Sequence, residues 1–389
     1  MGLIYTIPYV MLVMVVGFLA LFYYQADTDE DKNRITLILA GVFLFFFGFR
    51  GYILTDWVIY LPQYENMRWD KVFNYFTTIN NNFEPGFAIL VMICKSVFPS
   101  YFFLCFVIVS FNIYALIVFF KRYTNNIPLG FILFLVFEGV IIMSNLLRNS
   151  ISISIFLLAL PFLENRKPIR YFLMCILASS FHISALLYIP LYFFLHIRFS
   201  KWIYIALFVF INAAFVSHVS IVMTLVQLLG MDESMAMKVK AYTEMYSSSI
   251  SVFSIGYLER LASGILVILY YEKISEMHKG KGTIINAFLL FLSFYFLFSE
   301  FEVFAKRICT LFAFGYWVIW GDLIRCFYYK NNRKFFLCFV IMYSLLKTVL
   351  VTRYPGYDYQ NILFGADNYN ERLMYHNKTY QGKQYEYTN

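Results

Sequence analysis

An arginine and a histidine carried by apolar sequence are the chain's first candidates for chemistry. From Ser144 to Ser184 it reads SNLLRNSISISIFLLALPFLENRKPIRYFLMCILASSFHIS. Arg148 stands where one apolar segment ends and the next begins, and His182 sits at the middle of a later one. On insertion scales an ionisable side chain at the centre of a membrane helix costs about 2.5–3.5 kcal/mol, unless it pairs or lines a wet cavity. The guanidinium fork matches phosphate oxygens and never loses its charge, so an arginine here suits a phosphate or diphosphate. A histidine or carboxylate nearby can accept a hydroxyl proton. Taken alone, the same two residues equally describe a snorkelling arginine at a helix end and a packed histidine.

The elements that would position them are apolar runs. Of 389 residues, 61% are hydrophobic and 14% charged, against about 45–50% and 25% in soluble domains. The long runs predict an all-α, polytopic transmembrane helical bundle; a barrel would show short alternating segments. Runs at 4–24, 35–49, 101–120, 128–143, 151–163, 255–271, 283–298, 308–324 and 335–351 are full or near-full spans. The run at 85–98 is too short to span comfortably and carries Lys95, so it reads as re-entrant or interfacial. The run at 171–197 is long for one span and short for two, and that at 202–230 is similarly long. This gives about 10–12 membrane segments in a single membrane domain, 1–389. Its bundle would occupy 4–351, with outer-face loops at 50–84 and 231–254 and a polar tail at 352–389. The opening MGLIYT formally matches a myristoylation pattern, but 4–24 reads as the first span.

Charge sets the orientation. Lys121-Arg122, Arg166-Lys167 with Arg170, Arg198 with Lys201, 273–281 and 325–334 all fall on one side if 85–98 does not cross and 171–197 forms two half-length helices. That side is cytoplasmic by the positive-inside rule, and the net charge of +8 reflects these loops rather than nucleic acid. The opposite face then collects Arg50, Asp56, Glu65, Arg68, Asp70, Lys71, Glu84, Arg148, Glu259-Arg260, Glu300, Glu302, Lys306, Arg307 and Arg353, with His182 at the helix break. The six cysteines show neither a disulfide framework nor zinc spacing, and P-loop, GxGxxG and HxE patterns are absent. Several of these residues also have plain readings. Asp56 and Glu65 suit a solvated loop, and Glu84-Pro85 suits a helix start. His196 and His218 look like helix-end residues without a role.

The order of short motifs resembles the EpsG family of bacterial membrane proteins, which is similar to Wzy-type polysaccharide polymerases. The resemblance rests on Arg50-Gly51, Asp56-Trp57 with Tyr60 and Tyr64, and Phe83-Glu84-Pro85-Gly86-Phe87. It continues with Leu147-Arg148-Asn149, Arg166-Lys167, and Ala178 to Leu186 around His182. The last pieces are Lys306-Arg307 and Tyr354-Pro355 through Tyr359-Gln360-Asn361-Ile362-Leu363. Asn149 stands where the family usually has Gln, and Asp56-Trp57 where Asp-Tyr is common. The resemblance implies a GT-C-like membrane glycosyltransferase that polymerises undecaprenyl-diphosphate-linked oligosaccharide repeat units at the outer leaflet. Arg148, Arg307 and Arg50 would bind the diphosphate. His182 would assist the diphosphate or accept the acceptor proton, with Glu84 and Asp56 as alternative bases. Trp57, Tyr60, Tyr64 and Trp69 would stack on sugars or anchor at the interface. No cofactor or metal is expected, since the arginines can neutralise the leaving group. The implied partners are the lipid-linked oligosaccharides, membrane lipids, a chain-length regulator and a flippase. The implied location is the bacterial cytoplasmic membrane, multi-pass, with the site facing the periplasm or exterior.

Two rival functions fit the same composition: a membrane O-acyltransferase and a flippase or transporter of lipid-linked sugars. The outward clustering of charge disfavours a cytoplasmic acyl donor, and no second copy of the Arg148–His182 pattern marks a transporter repeat. The orientation itself is testable. Single cysteines near Asn66 and Lys279 of a cysteine-free variant are expected to react with an impermeant thiol reagent on intact cells only at Asn66; the reverse labelling overturns it.

Overall fold

The computed structural model describes residues 2–73, 83–217, 254–299 and 302–380. Nearly all of the 231–254 loop, the end of the 202–230 run, His218 and Glu300 lie outside the described residues. The protein is a polytopic helical bundle that divides into two compact units, Met1–Tyr192 with Cys338–Asn389, and Phe193–Leu337.

In the first unit the helices are α1 (Ile7–Gln25), α2 (Asp29–Phe43), α3 (Trp57–Asn66), α4 (Trp69–Phe73), α5 (Pro85–Val97), α6 (Tyr101–Tyr123), α7 (Ile127–Phe134), α8 (Val140–Ser144), α9 (Leu147–Glu164), α10 (Pro168–Ser179) and α11 (Leu191–Phe194). Among the described residues, five helical stretches are long and apolar enough to cross a membrane: Gly2–Gln25, Tyr101–Tyr123, Ile127–Ser144, Leu147–Glu164 and Lys330–Thr352. A helix suits that solvent because it satisfies its own backbone. Ile127–Ser144 and Leu147–Glu164 are 83% and 78% buried, whereas Gly2–Gln25 and Lys330–Thr352 are 28% and 33% buried; the former pair forms the interior of this unit.

Local chemistry sets the boundaries. Thr28 caps α2 by accepting the Asp31 N–H at 3.1 Å, with Asp29, Glu30 and Asp31 in the positive first turn. Glu84 is held extended by the proline that follows it, and Pro85 opens α5 at the position where its missing N–H costs nothing. The SISISI stretch, 150–155, alternates like a strand, yet it is helix. Ser150 and Ser154, four apart and hence on one face, clamp Asn112 of α6: Asn112 donates to Ser150 Oγ at 2.9 Å and accepts from Ser154 Oγ at 2.8 Å. Such polar pairs hold helices together where lipid supplies no hydrophobic drive. At the other end of α9, Glu164 accepts from Arg122 at 2.6 Å and from the Tyr123 hydroxyl at 2.8 Å. Arg122, expected only to set topology, therefore also ties α6 to α9.

The run at 171–197 is broken. Helix α10 stops at Ser179, a short 3-10 helix covers Ile183–Tyr188, and His182 caps it. Pro85–Val97, like Pro168–Ser179 and Ile183–Phe194, is one of the short apolar helices. Lys95 is not stranded in it: its ammonium donates to the carbonyls of Tyr64, Glu65 and Met67 at 3.1, 2.8 and 3.1 Å. That caps the C-terminus of α3, where a cation is favoured.

The second unit holds α12 (Lys201–Val216), α13 (Ile255–Leu269), α14 (Tyr271–Met277), α15 (Thr283–Leu297), α16 (Glu302–Phe312) and α17 (Phe314–Cys326). The last pair forms a span bent by 54°, and α18 (Lys330–Thr352) returns the chain to the first unit. Buried polar groups staple this unit. Glu259 accepts from Ser263 and Tyr316 at 3.0 and 2.9 Å, and Trp320 donates to Ser263 at 3.0 Å. The Asn286 amide reaches the carbonyls of Leu195 and Ile197 at 2.9 and 2.8 Å. His278 and Asp322 pair at 2.7 Å.

The described part of the tail, up to residue 380, packs on the first unit. Residues 356–362 run beside 49–54: Gly51 N–H donates to Gln360 O and Leu54 N–H to Gly356 O, both at 2.8 Å, and Ile362 N–H donates to Phe49 O at 2.9 Å. A π-helical turn, Leu44–Gly48, ends α2. Carbonyls near it are taken up by tail side chains, Phe45 O by Asn361 at 3.0 Å and Phe46 O by Tyr359 at 2.9 Å. A side chain on Gly51 would press on Ala366 and Gln360, 3.2 Å from each, so the close approach of the tail needs glycine there. Finally α19 (Tyr369–Tyr380) docks through Arg372, which is buried and donates to Tyr52 O, Asp358 Oδ2 and Asp358 O at 3.0, 2.7 and 2.6 Å. Arg372→Ala is expected to open the tail by about 1–3 kcal/mol, read as roughly tenfold faster proteolytic cleavage between 353 and 369. Cleavage at the wild-type rate would show that Arg372 is not the clasp.

Candidate active site

Four separated pieces of the first unit meet at the start of α9. Because Leu146 offers no side-chain cap, the first N–H groups of this helix are left for other partners. Arg148 lies in its first turn. Its Nη1 donates to Glu84 Oε2 at 2.7 Å and its Nε to the Tyr60 hydroxyl at 2.8 Å. The guanidinium stands over two rings, 5.4 Å from the centre of Tyr60 and 5.7 Å from that of Phe83. Those rings are themselves stacked, 5.6 Å apart at 18°. Glu84 is the hub: its other oxygen accepts the Ile183 N–H at 3.3 Å. Next to it Gly86 N–H donates to Ser180 O at 2.8 Å, and a side chain on Gly86 would come within 2.8 Å of that carbonyl. The PheGluProGly sequence thus locks the turn that carries His182 onto α5.

His182 caps the 3-10 helix through Nδ1, which accepts the Ser184 N–H at 3.2 Å and lies 2.7 Å from Ser184 Oγ. Ser184 Oγ is 3.4 Å from Asn149 Oδ1. This is the contact at the position where the family usually has Gln, and it is long. The side chains of Arg148 and Glu84 are 24% and 18% exposed: sheltered, yet open to a ligand.

Asp56 is held from the same region. The Asn145 amide oxygen accepts Thr55 N–H and Asp56 N–H at 3.1 and 2.9 Å, and its nitrogen donates to Asp56 Oδ1 at 3.0 Å. Asn145 was overlooked in the sequence, although a polar residue between two apolar runs, three before Arg148, was the available signal. Burial pushes the Tyr60 phenol up to about 12, with Arg148 opposing and the Asp56 and Glu84 charges adding, so Tyr60 remains a neutral hydroxyl between cation and carboxylates. Glu138 was also passed over. It sits in the left-handed region, φ 74°, where Ile127–Ser144 is interrupted, a conformation that costs about 1–2 kcal/mol for a side-chain-bearing residue.

The remaining expected residues have surroundings of their own. Arg50 is buried, with Nε 3.4 Å from Met143 O and its backbone bridged to Asn361. Arg307 is an exposed residue of α16 in the second unit. The Trp57 indole donates to Leu54 O at 3.0 Å and is covered by Tyr52, Tyr369 and His376. Tyr64 is buried and its hydroxyl has no hydrogen-bond partner among the described residues. Trp69 is exposed in α4. Among the described residues no three His, Cys, Asp or Glu side chains gather as metal ligands would.

Residues 33–363 match the EpsG family, a family associated with polysaccharide polymerase-like proteins. No curated protein and no solved structure matches the chain. The matched region includes Asp56, Tyr60, Glu84, Asn145, Arg148 and His182 and reaches into the tail strand that pairs with 49–54; this multi-pass membrane protein of polysaccharide biosynthesis belongs to the EpsG family.

Proposed function

We propose that the protein polymerises lipid-diphosphate-linked oligosaccharide repeat units, undecaprenyl diphosphate being the carrier, at the outer face of a bacterial cytoplasmic membrane. The observation that carries this reading is Arg148: a guanidinium in the first turn of an uncapped helix, beside Glu84, Tyr60 and the His182 turn. A helix N-terminus and an arginine both favour a phosphate, and neutralising a departing diphosphate is the largest service such a site can offer. The acceptor hydroxyl oxygen attacks the anomeric carbon of the donor. The bond from that carbon to the diphosphate breaks, the electron pair leaves with the diphosphate, and the hydroxyl proton passes to a carboxylate. Asp56 is the base we assign. Asn145 aims it, and Glu84 is the alternative base.

His182 serves in this reading as a donor. A backbone N–H cannot reverse its direction, so Nδ1 must supply a lone pair to Ser184. The ring proton of the neutral imidazole then sits on Nε2. That N–H would stabilise the developing negative charge on the diphosphate, while Arg307 enters only as a further cation to be tried in the same assay. Flippases and regulators of chain length would be its partners in the cell.

Turnover of lipid-linked repeat units by purified protein tests this. Arg148→Ala is expected to abolish polymer and Arg148→Lys to restore only part, since lysine lacks the bidentate fork; full activity in Arg148→Ala sinks the assignment. A donor histidine can be replaced in part by an amide. His182→Gln should therefore keep activity within about tenfold while KM rises, whereas a loss of about 10²–10⁴-fold in kcat would make His182 the base.

A further inference from the structure

One helical turn beyond Tyr60, about 6 Å along α3, lies a cavity of about 410 Å³ whose walls include Tyr52, Tyr64, Glu65, Lys95, Phe102 and Tyr369. It is separate from the Arg148 cluster: none of its lining residues touches Arg148 or Glu84 through the contacts described above. The volume lies in the lower part of the range for small-molecule sites, with room for a sugar ring or a short piece of glycan.

Its polar groups narrow the occupant. Lys95 gives its three donors to three carbonyls, so no N–H is left over to hold a phosphate oxygen. The Glu65 carboxylate makes no hydrogen bond or ion pair among the described residues. Tyr52 is 7% exposed and its hydroxyl likewise makes no hydrogen bond there. Burial first, and Glu65 among the neighbouring groups, pushes that phenol up to about 12, so it stays a neutral donor. An acceptor carboxylate at the exposed rim and a donor phenol in the buried wall thus share one cavity. Around them are aromatic faces: Tyr52 lies 5.0 Å from Phe102 and 6.3 Å from Tyr369, ring centre to ring centre. The Glu65 carboxylate at the rim disfavours an anionic headgroup, and an acyl chain would leave the buried Tyr52 hydroxyl unsatisfied at a cost. A neutral ligand with hydroxyls at its edge and C–H groups on its face meets every feature.

We propose that this cavity is a glycan subsite, holding a sugar ring of the substrate with hydroxyls on Glu65 and Tyr52 and its apolar face against the aromatic wall. This rests on the polymerase reading for the source of the sugar, but not for the binding itself. Tyr369 belongs to α19, so the docked tail supplies part of the site.

The test uses the full chain in lipid nanodiscs free of glycoside detergent. Saturation-transfer NMR is run with the methyl glycosides of glucose, galactose, N-acetylglucosamine and N-acetylgalactosamine as probes. At least one should receive magnetisation at its ring C–H protons. Glu65→Gln and Tyr52→Phe, both conservative in shape, should each weaken its binding about three- to tenfold, the scale of exchanging a charged acceptor for a neutral one or of losing one hydrogen bond. Arg148→Ala should leave it unchanged. If no glycoside receives magnetisation, or if both substitutions leave transfer at the wild-type level, the subsite is refuted. If binding behaves as expected while Arg148→Ala still makes polymer, the subsite stands and the polymerase site has been misassigned.

Discussion

Everything on the candidate catalytic face hangs on one carboxylate. Glu84 touches α9 through Arg148 and the broken apolar segment through Ile183, and its own position is set by the proline that follows it. A charged pair this sheltered loses much of its hydration, and it returns that cost only where the geometry is good and further hydrogen bonds fill the remaining lone pairs. The second oxygen on the Ile183 N–H and the Tyr60 hydroxyl on Arg148 supply them. The price of holding a cation in the first turn of a helix, where the dipole opposes it, is met by the same carboxylate. A diphosphate arriving there would find a cation whose counter-ion is already present, so binding would be an exchange of anions rather than the creation of a new charge pair.

The rest of the bundle repeats this logic with neutral groups. Asn112 between Ser150 and Ser154, and Asn286 beneath the carbonyls of Leu195 and Ile197, use amides as rivets. Each of these helices is otherwise apolar and would pack as well against lipid as against a neighbour. The amides therefore select register. The site needs that, because Arg148 lies in the first turn of α9, two residues before the Ser150 that contacts Asn112.

How much of this could be read from the chain depends on the range of the interactions. Helix ends with local causes were legible: Thr28, Pro85 and Pro168 each mark a start. The run around His182 stayed open in the sequence, long for one span and short for two, and the structure breaks it after Ser179. Individual site residues stood out through the cost of charge beside apolar sequence, which is why Arg148, Glu84 and His182 could be named. Their mutual contacts could not be read, since Glu84 is 64 residues from Arg148 and 99 from Ile183. Trp57 and Arg50 show the opposite failure. Each has the right chemistry for a ligand, and only the packing of a polar tail 300 residues downstream reveals that one is roofed over by α19 and the other bridged to Asn361. The SISISI stretch misleads by period, since alternation suggests a strand until the serines four apart find Asn112.

The tail has a temporal consequence. Asn361 reaches back 316 residues to Phe45, and the whole of the second unit is encoded between those two partners. At ribosomal speeds of about 5–20 residues per second, the segment 45–54 waits roughly 15–60 s before the strand that completes it exists. In that interval the indole of Trp57 and the carbonyls of Phe45 and Phe46 lack the cover they have in the finished molecule. The nascent protein must therefore keep its candidate site incomplete until residues 356–376 have emerged, and a chain that stops short of Asn361 carries the candidate residues on an unfinished support.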